Sequence, residues 1–291
     1  MSPQALGIDV SHWQGAVDWN AVRASGILFA FVKATERDNV VDPRLDANWQ
    51  GMKAAGIIRG GYHFFRPTAD AQRQAQHFAR HISLASGDMP PVLDLETAEN
   101  VDNATIIAGV ETWLRVVEQL TGRKAIIYTS ASFWNTHIKN AGGQFPPWTS
   151  NYGVWVASYT TNPQPVIPKG WAKWDFWQYS EQGNVNGVGG NCDVDRFNSS
   201  EDDLRTYVGS APPVVVVAPP PPPPPSPPPP PPDPDPFAGG AVIARPGDPG
   251  FSEGWYFPEG DPEHHISAFN DVYGWQVKYK NGTTADAYYC T

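Results

Sequence analysis

The sequence predicts an α/β protein: an irregular TIM-like (β/α) barrel with eight strands and reduced helices after strand five, plus a small C-terminal β-rich module. Three observations predict it. Strand-like and helix-like segments alternate through about the first 210 residues, the pattern of a parallel sheet wrapped by helices. Three short apolar runs each close on carboxylates: Gly7-Ile8-Asp9-Val10-Ser11, Pro91-Val92-Leu93-Asp94-Leu95-Glu96 and Cys192-Asp193-Val194-Asp195. Seventeen prolines between Pro212 and Pro236 then set a boundary.

Taken in order, the strand candidates are 6–11, 27–35, 57–65, 91–96, 125–130, 154–159, 175–179 and 192–197. Helical patterns fall between the earlier ones, at 19–25, 44–55, 69–86, 103–120 and 131–141. Gly26, Gly56, Gly87 and Gly122 stand where helix C-caps are expected, and Asn103-Ala104-Thr105 offers an N-cap to the longest helix. Links after the fifth strand are too short, or too rich in Pro and Gly, for full helices.

Residues 1–210 are therefore expected to form the barrel and 211–236 a linker. Proline fixes φ and lacks a backbone donor, so the linker should stand as polyproline II. The nineteen residues 218–236 would then span roughly 60 Å. Residues 237–291 hold eleven aromatics and turn signals such as Asn281-Gly282, with strands expected at 277–279 and 287–289. This reads as a small β-rich module, and its place behind a spacer suggests attachment to a surface, with a structural cap as the alternative.

Charge and composition exclude several classes of partner. The net charge is −10, and the 20 basic residues form no run, which argues against nucleic acid or anionic lipid. No stretch approaches the ~20 apolar residues of a membrane span, and the start carries no basic and apolar leader pattern. Cys192 and Cys290 lie on opposite sides of the linker and are expected as unpaired thiols.

Candidate chemistry lies in the acids. In a strand, Asp94 and Glu96 share one face while Leu93 and Leu95 take the other. Carboxylates gathered at the C-terminal ends of barrel strands are what a sugar-cleaving barrel presents to its substrate. Such cleavage needs a general acid at the leaving oxygen and a second carboxylate facing the oxocarbenium-like carbon. Crowding raises the pKa of neighbouring acids, so one stays protonated beside an ionised partner. Asp9, Asp94, Glu96 and Asp193 are the candidate set; Asp195 shares the face of Asp193. Lys33 and Glu36, three apart, are expected on opposite strand faces, so that at most one points into the barrel. His77 and His81 lie four apart on one helix, but no third ligand stands near them, so neither metal nor cofactor is expected. His12 is a possible neighbour of the cleft.

With these motifs in order, the chain resembles the lysozymes of glycoside hydrolase family 25, muramidases of the kind used by phage endolysins. The matching segments include Gly7-Ile8-Asp9-Val10-Ser11-His12-Trp13-Gln14-Gly15, Phe31-Val32-Lys33-Ala34-Thr35-Glu36, Gly61-Tyr62-His63-Phe64-Phe65 and Asp94-Leu95-Glu96. Further on come Ile127-Tyr128-Thr129, Trp155-Val156-Ala157-Ser158-Tyr159, Trp177-Gln178-Tyr179 and Asn191-Cys192-Asp193-Val194-Asp195-Arg196-Phe197-Asn198. The resemblance implies hydrolysis of the β-1,4 bond between N-acetylmuramic acid and N-acetylglucosamine in peptidoglycan. It implies Glu96 as general acid, with Asp94, Asp9 and Asp193 completing the site. Tyr62, Tyr128, Trp155, Gln178 and Tyr179 are implied as substrate-binding residues. It also implies synthesis in a host cytoplasm without a signal peptide, release to the bacterial wall by a separate pore-forming protein, and action as a monomer. A chitinase-like glycosidase and an inactive sugar-binding lectin are the alternative readings; the intact acid set argues against the lectin.

Overall fold

The computed structural model describes residues 3–209 and three short segments, 267–271, 274–278 and 284–286. Eight strands close into a barrel: β1 (Leu6–Val10), β2 (Phe29–Glu36), β4 (Ile58–Phe64), β5 (Val92–Asp94), β6 (Ile126–Ser130), β7 (Gly153–Ala157), β8 (Phe176–Gly183) and β9 (Cys192–Phe197). Closure comes from β1, which pairs with β2 on one side and β9 on the other. A two-residue strand, β3 (Val40–Val41), lies antiparallel on the end of β2 and was not foreseen.

The helices are α1 (Trp19–Ala24), α2 (Leu45–Ala54), α3 (Ala71–His81), α4 (Asn103–Thr121), α5 (Ala131–His137) and α6 (Glu201–Gly209). Asp18, Asp70, Asp102 and Ser130 cap α1, α3, α4 and α5, each side chain accepting from a first-turn N–H. Asp102 thus takes the capping place expected of Asn103, which is already helical. Gly122 ends α4 in the left-handed region at φ 69°. Helix α3 stops five residues short of the expected end, because Ile82 turns extended and joins the outer core, so Gly87 is not its cap. No expectation covered α6. Between β7 and β8 no α-helix forms, in keeping with the reduced second half.

Strand alternation divides the core in two. Phe29, Phe31, Ile58, Val92, Ile126, Trp155, Phe176 and Phe197 fill the barrel interior. Ile8, Val10, Ala30, Val32, Leu93 and Ile127 face outward against the helices, meeting Phe78, Val110 and Trp113. The aromatic interior needs space, and Gly60 supplies it: a Cβ there would come 2.4 Å from the Phe31 ring. Along each inward row the residues turn polar toward one end: Gly7 to Asp9, Val92 to Asp94, Ile126 to Tyr128, Phe176 to Gln178. That end is the mouth.

Two expectations are corrected here. Strand β9 runs antiparallel to both β1 and β8, so Asp193 stands near its N-terminal end rather than its C-terminal end. Eight residues separate β8 from β9, too few for the dozen or more that a parallel crossover requires. Reversal brings the start of β9 to the mouth, with Asp193 opposite Asp9. Lys33 and Glu36 likewise do not diverge; Lys33 Nζ lies 2.5 Å from Glu36 Oε2. A register irregularity between Lys33 and Thr35 in the β2–β4 pairing breaks the alternation and turns both to one side.

The chain divides into two compact units, with the boundary between Ala218 and Pro219. In the second, β10 (Ser267–Asp271), β11 (Gly274–Lys278) and β12 (Thr284–Asp286) form an antiparallel sheet in that order. The expected strand at 277–279 overlaps β11. That at 287–289, the Asn281-Gly282 turn, Cys290 and the whole of 211–236 lie outside the described residues. Among the described residues no helix is long and apolar enough to cross a membrane.

Candidate active site

An open cleft of about 280 Å³ lies over the barrel mouth, at the small end of the range for ligand pockets. Eight of the nine residues expected at the site line it: Asp9, Asp94, Glu96, Asp193, Tyr62, Tyr128, Trp155 and Gln178. Tyr179 does not. It follows inward-facing Gln178 on β8, so its ring turns out of the barrel, packs by Trp177 and lies 4.3 Å from the Arg196 guanidinium. Trp155 is floor rather than wall, 2% exposed and stacked 4.4 Å from the Phe31 ring.

The carboxyls form two groups. On one side, Asp94 ends β5 and is 6% exposed, while Glu96, just past the strand, is open to solvent. Leu93 and Leu95, both buried in the outer core, fix the alternation that turns the two acids inward. Burial first, then the Glu96 charge, holds the Asp94 proton well above the usual carboxylate range. Glu96, although its side chain reaches solvent, is raised too, by partial desolvation within the cleft and by Asp193, against the pull of Lys33 and Arg66. Asp94 Oδ1 is buried without a hydrogen-bond partner.

Across the mouth, Asp9 and Asp193 face each other in register. Asp195 lies one step deeper, fully buried, with Trp155 Nε1 donating to its Oδ1 at 2.8 Å. Burial, then the charges of Asp195 and Asp193, pushes Asp9 far up, and burial does the same to Asp195. Protons are therefore shared among these groups rather than lost from all of them.

Gln178 orders this second group. Its Oε1 accepts from Tyr128 Oη at 2.8 Å and from Tyr159 Oη at 2.6 Å. Both acceptor sites of the amide oxygen are thus filled, which fixes the amide's orientation and aims Nε2 at Asp9 Oδ2, 2.6 Å away. Gln178 is 2% exposed at the cleft floor, and its bond to Asp9 holds that carboxyl in place. Burial raises the phenols of Tyr62 and Tyr128 well above their usual value, keeping both as hydroxyl donors.

Sequence reasoning missed Trp13, Tyr159 and Glu181, which also line the cleft, as does Lys33. Tyr159 was within reach of it, standing at the mouth end of an expected strand. Outside the acids, His12 Nδ1 pairs with Asp42 Oδ2 at 2.8 Å beside the cleft. His77 Nε2 donates to Val40 O and His81 Nδ1 to His77 O. Cys192 is a buried free thiol.

A closed barrel carrying paired carboxyls in an open cleft at the mouth defines a glycoside hydrolase. The sequence profile of glycosyl hydrolases family 25 matches residues 8–188. Lysozyme M1 of Streptomyces globisporus is 40% identical over 209 residues, covering 67% of this chain and 68% of that protein. The uncharacterized protein YegX of Escherichia coli K12 is 38% identical over 207 residues, covering 69% and 72%. The crystal structure of the bacterial lysozyme from Streptomyces coelicolor superposes with a TM-score of 0.67 at 35% identity, covering 73% of this chain and 100% of that one. The chain belongs to glycosyl hydrolase family 25 and is a muramidase, an enzyme that hydrolyses peptidoglycan.

Proposed function

We propose that Glu96 is the general acid that protonates the leaving glycosidic oxygen, and that Asp94, beneath it, tunes and orients it. Asp9 and Asp193 complete the acidic wall facing the oxocarbenium-like carbon, and Tyr62 offers its hydroxyl to the substrate's polar groups. The observation that carries this assignment is the contrast between exposed Glu96 and buried Asp94 at the end of one strand. Glu96 combines a proton affinity raised above the ordinary carboxylate value with the exposure needed to touch a polymer lying in the cleft, which buried Asp94 lacks. Glu96→Gln keeps size and hydrogen bonding but has no proton to deliver, so wall lysis followed by turbidity should fall at least ~100-fold. Near-normal lysis by a folded Glu96→Gln protein would overturn the assignment.

The biological setting we propose is lysis of a bacterial host by an endolysin-type enzyme, made in the cytoplasm and reaching the wall after the membrane is opened. It would act as a monomer, its second unit gripping the wall. The completeness of the cleft within one chain supports the monomer. The second unit, joined through the proline-rich segment, supports the grip, since a tethered second site raises the local concentration of the first. Two measurements test this. Bacteria expressing the chain in their cytoplasm should lyse only after membrane permeabilisation; lysis without it would overturn the release step. The full-length Glu96→Gln protein should sediment with walls more strongly than the same chain cut after residue 210, and equal sedimentation would remove the role of the second unit.

A further inference from the structure

Trp13 is the most exposed large hydrophobic side chain among the described residues, at 81%, followed by Val166 at 58%. It lines the cleft, four residues beyond Asp9. An indole left in water contributes nothing to the core, and the turn that carries it is built without it. Ser11 and Gln14 close a reciprocal capping box around the 3₁₀ turn His12–Gln14. Ser11 Oγ accepts from the Trp13 N–H at 3.3 Å, and Gly15 leaves the turn at φ 68°. His12 is tied twice to Asp42 Oδ2, by its backbone N–H at 3.1 Å and by its ring at 2.8 Å. The Asp42 side chain is itself fully buried. Against this anchored imidazole the Trp13 ring rests at 4.6 Å between centroids, with the planes tilted by 34°. The result is an aromatic plate at the rim, carried on a turn held by hydrogen bonds and resting on an anchored imidazole.

We propose that Trp13 forms a sugar-binding subsite: a platform on which an N-acetylhexosamine ring of the glycan strand stacks, beside the ring being cleaved. Pyranose rings carry a face of C–H groups, and an aromatic plate meets that face by burying apolar area, without help from charge. The carboxyls of Asp9, Asp94, Glu96, Glu181 and Asp193 at the mouth bind hydroxyls but offer no apolar surface, and of the aromatic rings lining the cleft that of Trp13 is the one most open to a ligand. Ordering costs are small because the turn is already held. The inference deepens the glycan-cleft reading and rests on it.

The test uses the full-length chain and peptide-free glycan strands released from bacterial walls by an amidase. Trp13→Ala should raise KM for these strands about 10-fold, the scale of losing a tryptophan anchor, with kcat within about 2-fold. Trp13→Phe should recover most of the affinity, and both variants should melt within about 2 °C of the parent, since surface changes move stability little. Independently of any variant's folding, strands added to the Glu96→Gln protein should shield one readily quenched tryptophan from iodide, and that shielded fraction should vanish in Glu96→Gln/Trp13→Phe. An unchanged KM for Trp13→Ala, a loss confined to kcat, or shielding that survives Trp13→Phe overturns the platform while leaving the cleft as the glycan site. Failure of the strands to bind the Glu96→Gln protein at all overturns the cleft reading itself, and the platform with it.

Discussion

Replacing Gln178 by Met tests the ordering of the acid cluster with little change of side-chain volume, so the cavity contribution is small. Two losses follow from the geometry. The donor to Asp9 disappears, a bond to an ionisable carboxyl that contributes about 2 kcal/mol. Tyr128 Oη, on a residue only 8% exposed, loses its acceptor, and an orphaned buried hydroxyl costs about 1–3 kcal/mol. Tyr159, 53% exposed, finds water instead and adds little. The total is about 4 kcal/mol, which lowers the melting temperature of a domain of this size by about 10 °C. A chemical effect accompanies it. The Gln178 bond pulls the Asp9 pKa down against burial and its acidic neighbours. Without that bond the Asp9 proton is held to higher pH, so the acid limb of the pH–rate profile for wall lysis should move upward. Circular-dichroism melting and the pH dependence of kcat/KM measure the two consequences. A melting temperature within about 2 °C of the parent, with an unmoved acid limb, would refute the clamp.

Other expectations follow from the same cluster. Asp193→Asn should cost about 100-fold in wall lysis, whereas Asp195→Asn, buried and bonded to Trp155, should keep activity within about 5-fold. Because the Asp195 charge raises Asp9, Asp195→Asn should also move the acid limb downward; the reverse ranking of the two variants would show the strand to be misread. Lys33→Met removes a charge that favours the ionised forms of Asp94 and Glu96, so the alkaline limb of kcat/KM should rise. An alkaline limb that stays or falls would contradict this. Stability should depend on pH through the raised acids Asp9, Asp94, Glu96, Asp193 and Asp195. Their folded pKa values lie above the unfolded ones, so the folded state binds protons more tightly, and stability grows as pH falls from their raised values toward about 4. Glu36, held low by Lys33 and Arg66, and Glu99, held low by Thr68 and Arg66, work in the opposite sense, as do His63, driven down to about 3 by burial, and His77, also lowered by burial. Where the raised acids dominate, melting temperature should be higher in mildly acidic than in mildly alkaline buffer, and a steady fall on acidification from neutral pH would contradict that dominance.

Much of the site was legible because its signal is local. Asp94 and Glu96 announce themselves by spacing alone, since residues two apart on a strand share a face, and Asp9 closes a short apolar run in the same manner. The eight barrel strands were legible for the same reason, as short apolar runs between helical patterns. Less legible were features set by connections and irregularities. The antiparallel course of β9 follows from an eight-residue link, a signal present in the sequence but outweighed by the regular alternation before it. The broken register beside Lys33 has no such signal, because a bulge depends on what the partner strand β4 offers.

The sequence by itself determined the barrel, its family and the identity of the acids, because strand period, apolar runs and motif order are properties of neighbouring residues. Only the tertiary structure decided which groups touch. It turned Tyr179 outward, tied Gln178 to Asp9 across 169 positions, sank Asp195 beneath Asp193, and stood Trp13 in water at the rim. Closing the barrel brings the first and last strands together, and the electrostatics of the mouth arise from that closure. A carboxyl's proton affinity is set by the charges and solvent around it in space, which no stretch of sequence contains.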